Sequence, residues 1–358
     1  MLKGNKGEWS EIYAFCYLLD SGVLRAADKD LNPTTEIYFP ILKILREETR
    51  GTVLKYFPAN PNSPTIKIFN GDKLLGEYSK EEFENIIKTL YKEIPDGERA
   101  FEIPKVNDFF DRIYVKKLKA DSVHKQDIDI QIHDIHTGIS PVCGFSVKSY
   151  LGASPTLVNP GKTTNFIYTI DKCNDDIMNA VNAIGTRTKI IDRMRYLRES
   201  GCTIIRSEEM LSLQFKENLE FIDSKMPQII GEILLSAYKT GTRKLADVIK
   251  LIQEQNPMQY SNLNMYSYKI KKLLCACALG MTPEKHWEGA EDANGGYIVV
   301  KRDGSVVCYH IYNRTDFEQY LYDYTYFDTP STTRYEYMSV YKENGEYKLK
   351  LNLQIRFF

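Results

Sequence analysis

The sequence predicts a mixed α/β fold (α+β) with a central sheet flanked by helices. Three features carry that expectation: an N-terminal segment with helical spacing, two alternating strand segments in the middle, and a helical stretch followed by a β-rich tail. With 358 residues, 43% hydrophobic and 27% charged, the chain has ample material for a core, and the mixture excludes disorder and collagen-like repeats.

In the first element, expected over residues 7–19, Trp9, Ile12, Tyr13 and Cys16 recur at helical spacing. Glu8 and Glu11 lie one turn apart on a neighbouring face. Residues 35–78 read as β-rich, broken by an Asn-Pro-Asn-Ser-Pro loop at 60–64 and an Asn-Gly-Asp turn at 70–72. Ser79 then opens a helix through residue 90, with Glu82 completing a capping box. Two strands follow at 126–133 (QDIDIQIH) and 144–150 (GFSVKSY), joined through a loop at 134–140, and a third lies at 165–170. Helices are expected at 171–184 and 188–199 and through most of 208–279. After Gly295 the pattern turns β again, punctuated by an Arg-Asp-Gly turn at 302–304 and an Asn-Gly turn at 344–345. We divide the chain into a catalytic region, 1–205, and a helical plus β-rich region, 206–358, for recognition or dimerisation.

The charge is nearly balanced, 47 Lys plus Arg against 48 Asp plus Glu, which excludes a binder acting by bulk positive charge. A local basic surface remains compatible, because net charge averages over the whole molecule. The seven cysteines have no zinc-ligand spacing and read as free thiols of a reducing compartment. No apolar leader or membrane-spanning run is visible, so a cytoplasmic bacterial protein is expected. Walker, nucleophile-elbow and dinucleotide motifs are missing, leaving the NTPase, esterase and dehydrogenase readings without support. The five histidines (His124, His133, His136, His286, His310) show no catalytic spacing.

The sharpest chemical constellation is Asp127 and Asp129 on one strand with Ser146 and Lys148 on the next. Side chains two apart on a strand share a face, so each pair points together. Ile128, Ile130, Phe145 and Val147 fill the opposite faces. Carboxylates beside a lysine suit metal-assisted phosphodiester hydrolysis, in which hard oxygens hold Mg²⁺ and an ammonium stabilises charge on phosphorus. The same pattern also describes a solvated outer face of an amphipathic hairpin.

Asp127 followed by a Val-Lys pair on the next strand resembles the core of the PD-(D/E)XK nucleases. Three further segments resemble the HpaII family of type II restriction endonucleases: residues 3–13 (KGNKGEWSEIY), 144–166 (GFSVKSYLGASPTLVNPGKTTNF) and the tail from Asp328. The resemblance implies a restriction-endonuclease-like central mixed sheet. It implies that Asp127 and the Val147 carbonyl bind Mg²⁺, with Glu11 or Glu8 from the first helix completing the shell. Lys148 would position the attacking water, and the products would be 5′-phosphate and 3′-hydroxyl ends. One departure stands out: Ser146 occupies the place where the superfamily pattern has Asp or Glu, so the second carboxylate is either absent or comes from elsewhere, with Asp129 and a helix carboxylate as the candidates.

For DNA contacts the sequence offers three groups. Ser154, Thr156, Asn159 and Asn165 follow the lysine strand. Arg187, Lys189, Arg193 and Arg195, with Arg198, concentrate positive charge on one helix. Ser331, Thr333 and Arg334 lie in a polar, β-breaking stretch beginning at Asp328. Lesser basic candidates are Arg243 with Lys244, and Lys269, Lys271 and Lys272.

The resulting expectation is a Mg²⁺-dependent type II restriction endonuclease cutting a short palindromic double-stranded DNA site, for which the family suggests CCGG. A homodimer and a cognate DNA methyltransferase are its expected partners; a monomer nicking each strand in turn is the other arrangement. The alternatives are a non-catalytic DNA-binding protein on a decayed nuclease fold, motivated by Ser146, and a hydrolase of another substrate.

Overall fold

The computed structural model describes residues 1–60, 63–119, 126–135 and 137–358, with the side chains of 206–208 and 311 left aside. His124 and His136 lie outside the described residues. The chain forms two compact units: Met1–Pro155 with Ala278–Gly280 and Glu291–Tyr320, and Thr156–Cys277 with Met281–Ala290 and Leu321–Phe358.

The first unit is organised on a nine-stranded mixed sheet. From one edge the strands run Val23–Ala27, Val306–His310, Gly296–Val300, Val142–Ser149, Ile128–Ile132, Pro33–Thr49, Thr52–Phe57, Thr65–Asn70 and Lys73–Ser79. Two of these pairings are parallel, Val142–Ser149 with Gly296–Val300 and Val23–Ala27 with Val306–His310. The 17-residue strand Pro33–Thr49 also pairs through its first half with Val23–Ala27, curling the sheet back on itself. Nothing in the local pattern of Gly296–Val300 announces that it will lie beside the Lys148 strand, since the paired residues Lys148 and Val299 are far apart in the chain.

Against this sheet lies the first helix, Lys6–Ser21. Asn5 caps it and Glu8 closes a capping box, satisfying amide groups that a helix start leaves unpaired. Trp9, Ile12, Ala14, Phe15, Cys16, Leu18 and Leu19 are all fully buried. They join Ile128, Ile130, Phe145, Val147, Ile298 and Cys308 in one core. Covering most sides of the helix leaves Glu11 partly buried, a carboxylate on an otherwise largely apolar helix. The second helix, Lys80–Glu93, begins at Ser79 with the expected Glu82 capping box.

The second unit holds a four-stranded antiparallel sheet, in the order Thr203–Met210, Asn165–Asp171, Glu346–Asn352, Val340–Glu343. A three-stranded sheet of Thr156–Val158, Ile355–Phe357 and Thr325–Phe327 accompanies it. Helices Asp175–Ala183, Lys189–Glu199, Leu213–Ile222, Met226–Thr240 and Leu245–Gln255 also belong to this unit. The sequence reading missed strand Thr203–Met210, and it missed helix Arg314–Asp323 within the β-rich tail. Among the described residues no helix is long and apolar enough to cross a membrane. All seven cysteines are free thiols, five of them buried.

Candidate active site

The centre of the site is Asp127, at a bend immediately before strand Ile128–Ile132. Its amide donates to the Phe145 carbonyl at 2.8 Å, which ties it to the neighbouring strand. Its Oδ2 accepts the Val147 N–H at 2.8 Å and the Ser146 hydroxyl at 3.1 Å. Because the N–H and C=O of one residue leave an extended strand on the same side, the Val147 carbonyl opens toward Asp127 as well. Ser146 is 1% exposed. The serine that replaces the expected carboxylate is therefore a buried brace for Asp127. Lys148, two residues further on, is half-buried, with Nζ 5.6 Å from the centre of the Tyr297 ring on the parallel strand.

Asp129 is placed differently from its strand-mate. It pairs across the ladder with Gly144, and its Oδ1 accepts from Gln126 Nε2 at 2.8 Å. A Cβ at position 144 would come 2.4 Å from Gln126 Oε1, so the glycine makes room for the amide that holds Asp129.

Glu11 enters the same electrostatic neighbourhood from the first helix. Burial and then the Asp127 carboxylate push its pKa up to about 8, while Lys119 and Lys148 pull the other way and Glu8 adds a further upward push. Glu11 Oε2 is buried with no hydrogen-bond partner among the described residues. Glu8 is committed to the helix start: its Oε2 accepts the Asn5 N–H at 2.8 Å, as expected for a carboxylate at a helix N-terminus. Between the two helix glutamates, the geometry therefore favours Glu11 for the carboxylate pair. Among the described residues no cluster of three or more His, Cys, Asp or Glu is arranged to hold a metal. The available oxygen donors are Asp127, Glu11 and the Val147 carbonyl.

Sequence reasoning did not single out Lys119, whose Nζ lies 4.0 Å from Asp127 Oδ1, nor Gln126 or Tyr297. Gln126 adjoins the motif and was within reach of a local reading. Lys119 belongs to no periodic pattern, and Tyr297 arrives through a long-range parallel pairing.

The HpaII restriction endonuclease family model matches residues 5–357. The chain is also 40% identical to the type II restriction enzyme HpaII of Haemophilus parainfluenzae, across 99% of this chain and 98% of that one. The chain belongs to the HpaII restriction endonuclease family. Its enzyme class is that of a type II restriction enzyme, a site-specific deoxyribonuclease. No solved structure gives a significant match.

In the second unit of this endonuclease, members of two of the three groups that the sequence offered for DNA contact line one cleft. Arg187, Thr188 and Lys189 line a cleft of about 390 Å³ with Thr242, Arg243, Thr329, Pro330, Ser331 and Thr332. Arg187 is exposed, as are Ser331, Thr333 and Arg334. The stretch read as a loop contains a short helix, Thr332–Tyr335, because Ser331 caps it by accepting the Arg334 N–H at 3.3 Å. Arg243 is held in place by the Phe327 carbonyl, the Asp328 carboxylate and the Tyr326 ring.

Two members of the DNA-contact set are corrected. Arg193 is 8% exposed, and its guanidinium donates to the carbonyls of Asn182, Ile184 and Met338 and to the Ser339 hydroxyl. The run of basic residues that grouped it with Arg187 does not say which of them face inward, and Arg187 itself precedes the helix Lys189–Glu199. Asn165 is fully buried, donating to the Tyr335 carbonyl and accepting from Asn352 Nδ2 at 2.7 Å. Lys269 is paired with Asp223. Arg195 is exposed beside Asp192, Asn159 is exposed, and Ser154 and Thr156 are half-buried.

Proposed function

We propose that this endonuclease hydrolyses phosphodiester bonds at a short palindromic site in double-stranded DNA with the help of Mg²⁺, leaving 5′-phosphate and 3′-hydroxyl ends. The family resemblance makes CCGG the expected target. The observation that carries the reading is the Asp127 carboxylate, fastened by the Ser146 hydroxyl and Val147 amide of the strand that bears Lys148.

The donor set fits a divalent cation. Glu11 has a buried oxygen without a partner beside a second carboxylate that raises its pKa. Two crowded, hard oxygen groups of like charge are what a small dication relieves. Asp127, Glu11 and the Val147 carbonyl would hold it. A bound Mg²⁺ polarises the phosphoryl group and favours ionisation of water. Two donors from one strand fix Asp127 Oδ2, which limits the reorganisation that accompanies substrate binding. Lys148 orients the attacking water and offsets charge developing on the phosphoryl oxygens. Uncatalysed phosphodiester hydrolysis is so slow that such positioning and charge stabilisation must together supply roughly 20 kcal/mol.

For recognition, the cleft of Arg187, Lys189 and Ser331 in the second unit supplies cations and a hydroxyl suited to the DNA backbone. A palindromic target is met by a two-fold symmetric dimer, or by a monomer that nicks each strand in turn. A cognate methyltransferase is the expected genetic partner, since unprotected host DNA would be cut.

The test is plasmid digestion with and without Mg²⁺, by the parent and by Lys148→Ala. Discrete Mg²⁺-dependent fragments from the parent, and retarded but intact plasmid with the variant, are the expected results. A Lys148→Ala protein that cuts at the parental rate overturns the assignment.

A further inference from the structure

The site contains a second lysine with its own positioning apparatus. Lys119 Nζ stands 4.0 Å from Asp127 Oδ1, with its side chain 54% exposed against 11% for Asp127. It therefore occupies the boundary between the inward carboxylates and solvent, and it also acts electrostatically on Glu11. A long, half-exposed ion pair adds roughly 0–1 kcal/mol to stability, so folding alone does not account for it.

The backbone leading to Lys119 is gripped by a buried ion pair. Arg46 and Glu48, on strand Pro33–Thr49, are 3% and 5% exposed, with Arg46 Nε donating to Glu48 Oε1 at 2.6 Å. Glu48 Oε2 accepts the Lys116 N–H at 2.8 Å. Arg46 Nη2 donates to the carbonyls of Lys117 at 2.7 Å and Leu118 at 3.4 Å. The same guanidinium lies 5.1 Å from the Phe15 ring, on the helix that carries Glu11. Leu118 is packed so closely that a Cβ on Gly4 would come 2.5 Å from its Cδ1. Burying a charge pair carries a desolvation cost of several kcal/mol per ion. Here its remaining hydrogen bonds go to three consecutive residues, 116–118, which have no regular secondary structure to hold them.

We propose that Lys119 is a second substrate-binding cation of this site, paired with Asp127 in the free protein and passed to a DNA backbone phosphate when a divalent cation takes over the carboxylates. A dication held by Asp127 and Glu11 would repel an ammonium that sits 4.0 Å from Asp127 Oδ1. Lysine suits the transfer, being a compact charge on a flexible stem, and its exposed half already faces solvent. A bound duplex would then offer its phosphates as the replacement anion. The inference rests on the nuclease reading of Asp127.

Two measurements on the full chain test it, with Lys119→Gln and Lys119→Arg. First, Mg²⁺ titrated calorimetrically into DNA-free protein should bind Lys119→Gln about three- to tenfold more tightly, because a competing charge is gone. Second, specific duplex binding with Mg²⁺ present should be measured in a Lys148→Ala background to suppress cutting. There Lys119→Gln should reduce the slope of log K against log salt by about one, and Lys119→Arg should retain it. Circular dichroism and thermal melting establish that each variant is folded. A folded Lys119→Gln protein with either quantity unchanged overturns the proposal. Plasmid digestion by Asp127→Asn separates the two levels: if that variant cuts like the parent, the nuclease reading falls. If it is inert while Lys119→Gln changes nothing, only the role of Lys119 falls.

Discussion

The Val147 N–H donates to Asp127 Oδ2 at 2.8 Å, joining the candidate metal carboxylate to the strand that delivers Lys148 one residue later. Because Ser146 donates to the same oxygen, one carboxylate is oriented by two consecutive residues of its neighbour. These two hydrogen bonds tie the position of Asp127 to the strand that carries Lys148.

Ser146→Ala should lower single-turnover cleavage by about tenfold, the cost of one hydrogen bond to a charged group, with little loss of DNA affinity. Asp127 would keep the Val147 amide as a partner, so cleavage should not vanish. Rapid-quench cleavage alongside a filter-binding titration gives both quantities. An unchanged rate would show that the serine does not hold Asp127 in the productive state.

The pH dependence of the metal-free protein should carry the signature of Glu11. Its pKa is raised to about 8 from an ordinary carboxylate value, so the folded state keeps a proton that the unfolded chain releases. Stability is therefore fully present below the unfolded pKa of about 4.3 and is lost as pH rises through about 8. Glu11→Gln should flatten this alkaline decline, which is on the order of a few kcal/mol. Urea titrations with EDTA between pH 5 and 9 measure it, and identical slopes for parent and variant would count against a buried, crowded Glu11.

His310 should act on the acid side. It is 3% exposed and lies 4.7 Å from the Phe39 ring centre, and burial lowers its pKa to about 4. The unfolded chain binds a proton near pH 6.5 that the folded protein refuses, so stability falls as pH drops from about 6.5 to about 4. The full effect is roughly 3 kcal/mol. Replacing His310 by Phe should remove most of that slope in urea titrations extended from pH 7 down to pH 4, and a slope that survives intact would place its origin elsewhere.

Arg187 and Arg193 should respond in opposite ways. Arg193→Ala leaves the carbonyls of Asn182, Ile184 and Met338 without their donor and should destabilise the protein by about 3 kcal/mol or more. Arg187→Ala should leave melting nearly unchanged while reducing the salt slope of DNA binding by about one. Thermal melts and binding at several salt concentrations distinguish them. An Arg193→Ala protein as stable as the parent would contradict its inward role.

Much of the fold was legible because it is written in short-range pattern. The helix from Lys6, the Ser79 capping box and the alternating strand Ile128–Ile132 each follow from residues a few positions apart. The Asp127, Ser146 and Lys148 constellation was visible for the same reason, since a strand puts alternate side chains on one face. What stayed hidden depends on distant partners. Whether an arginine on a helix faces solvent or carbonyls is set by what packs beside it, as Arg193 illustrates.

By itself, the sequence determined many of the local elements, the family, and the placing of Asp127 on one strand beside Ser146 and Lys148 on the next, because these rest on period-two and helical spacing and on motif identity. Only the tertiary structure decided that Ser146 braces Asp127, that Glu8 serves the helix start while Glu11 faces the second carboxylate, and that a buried Arg46–Glu48 pair sets the path of the chain into Lys119. The physical reason is the same in each case. Hydrogen bonding and desolvation act between atoms that touch, and most of these contacts join residues separated by tens of positions along the chain.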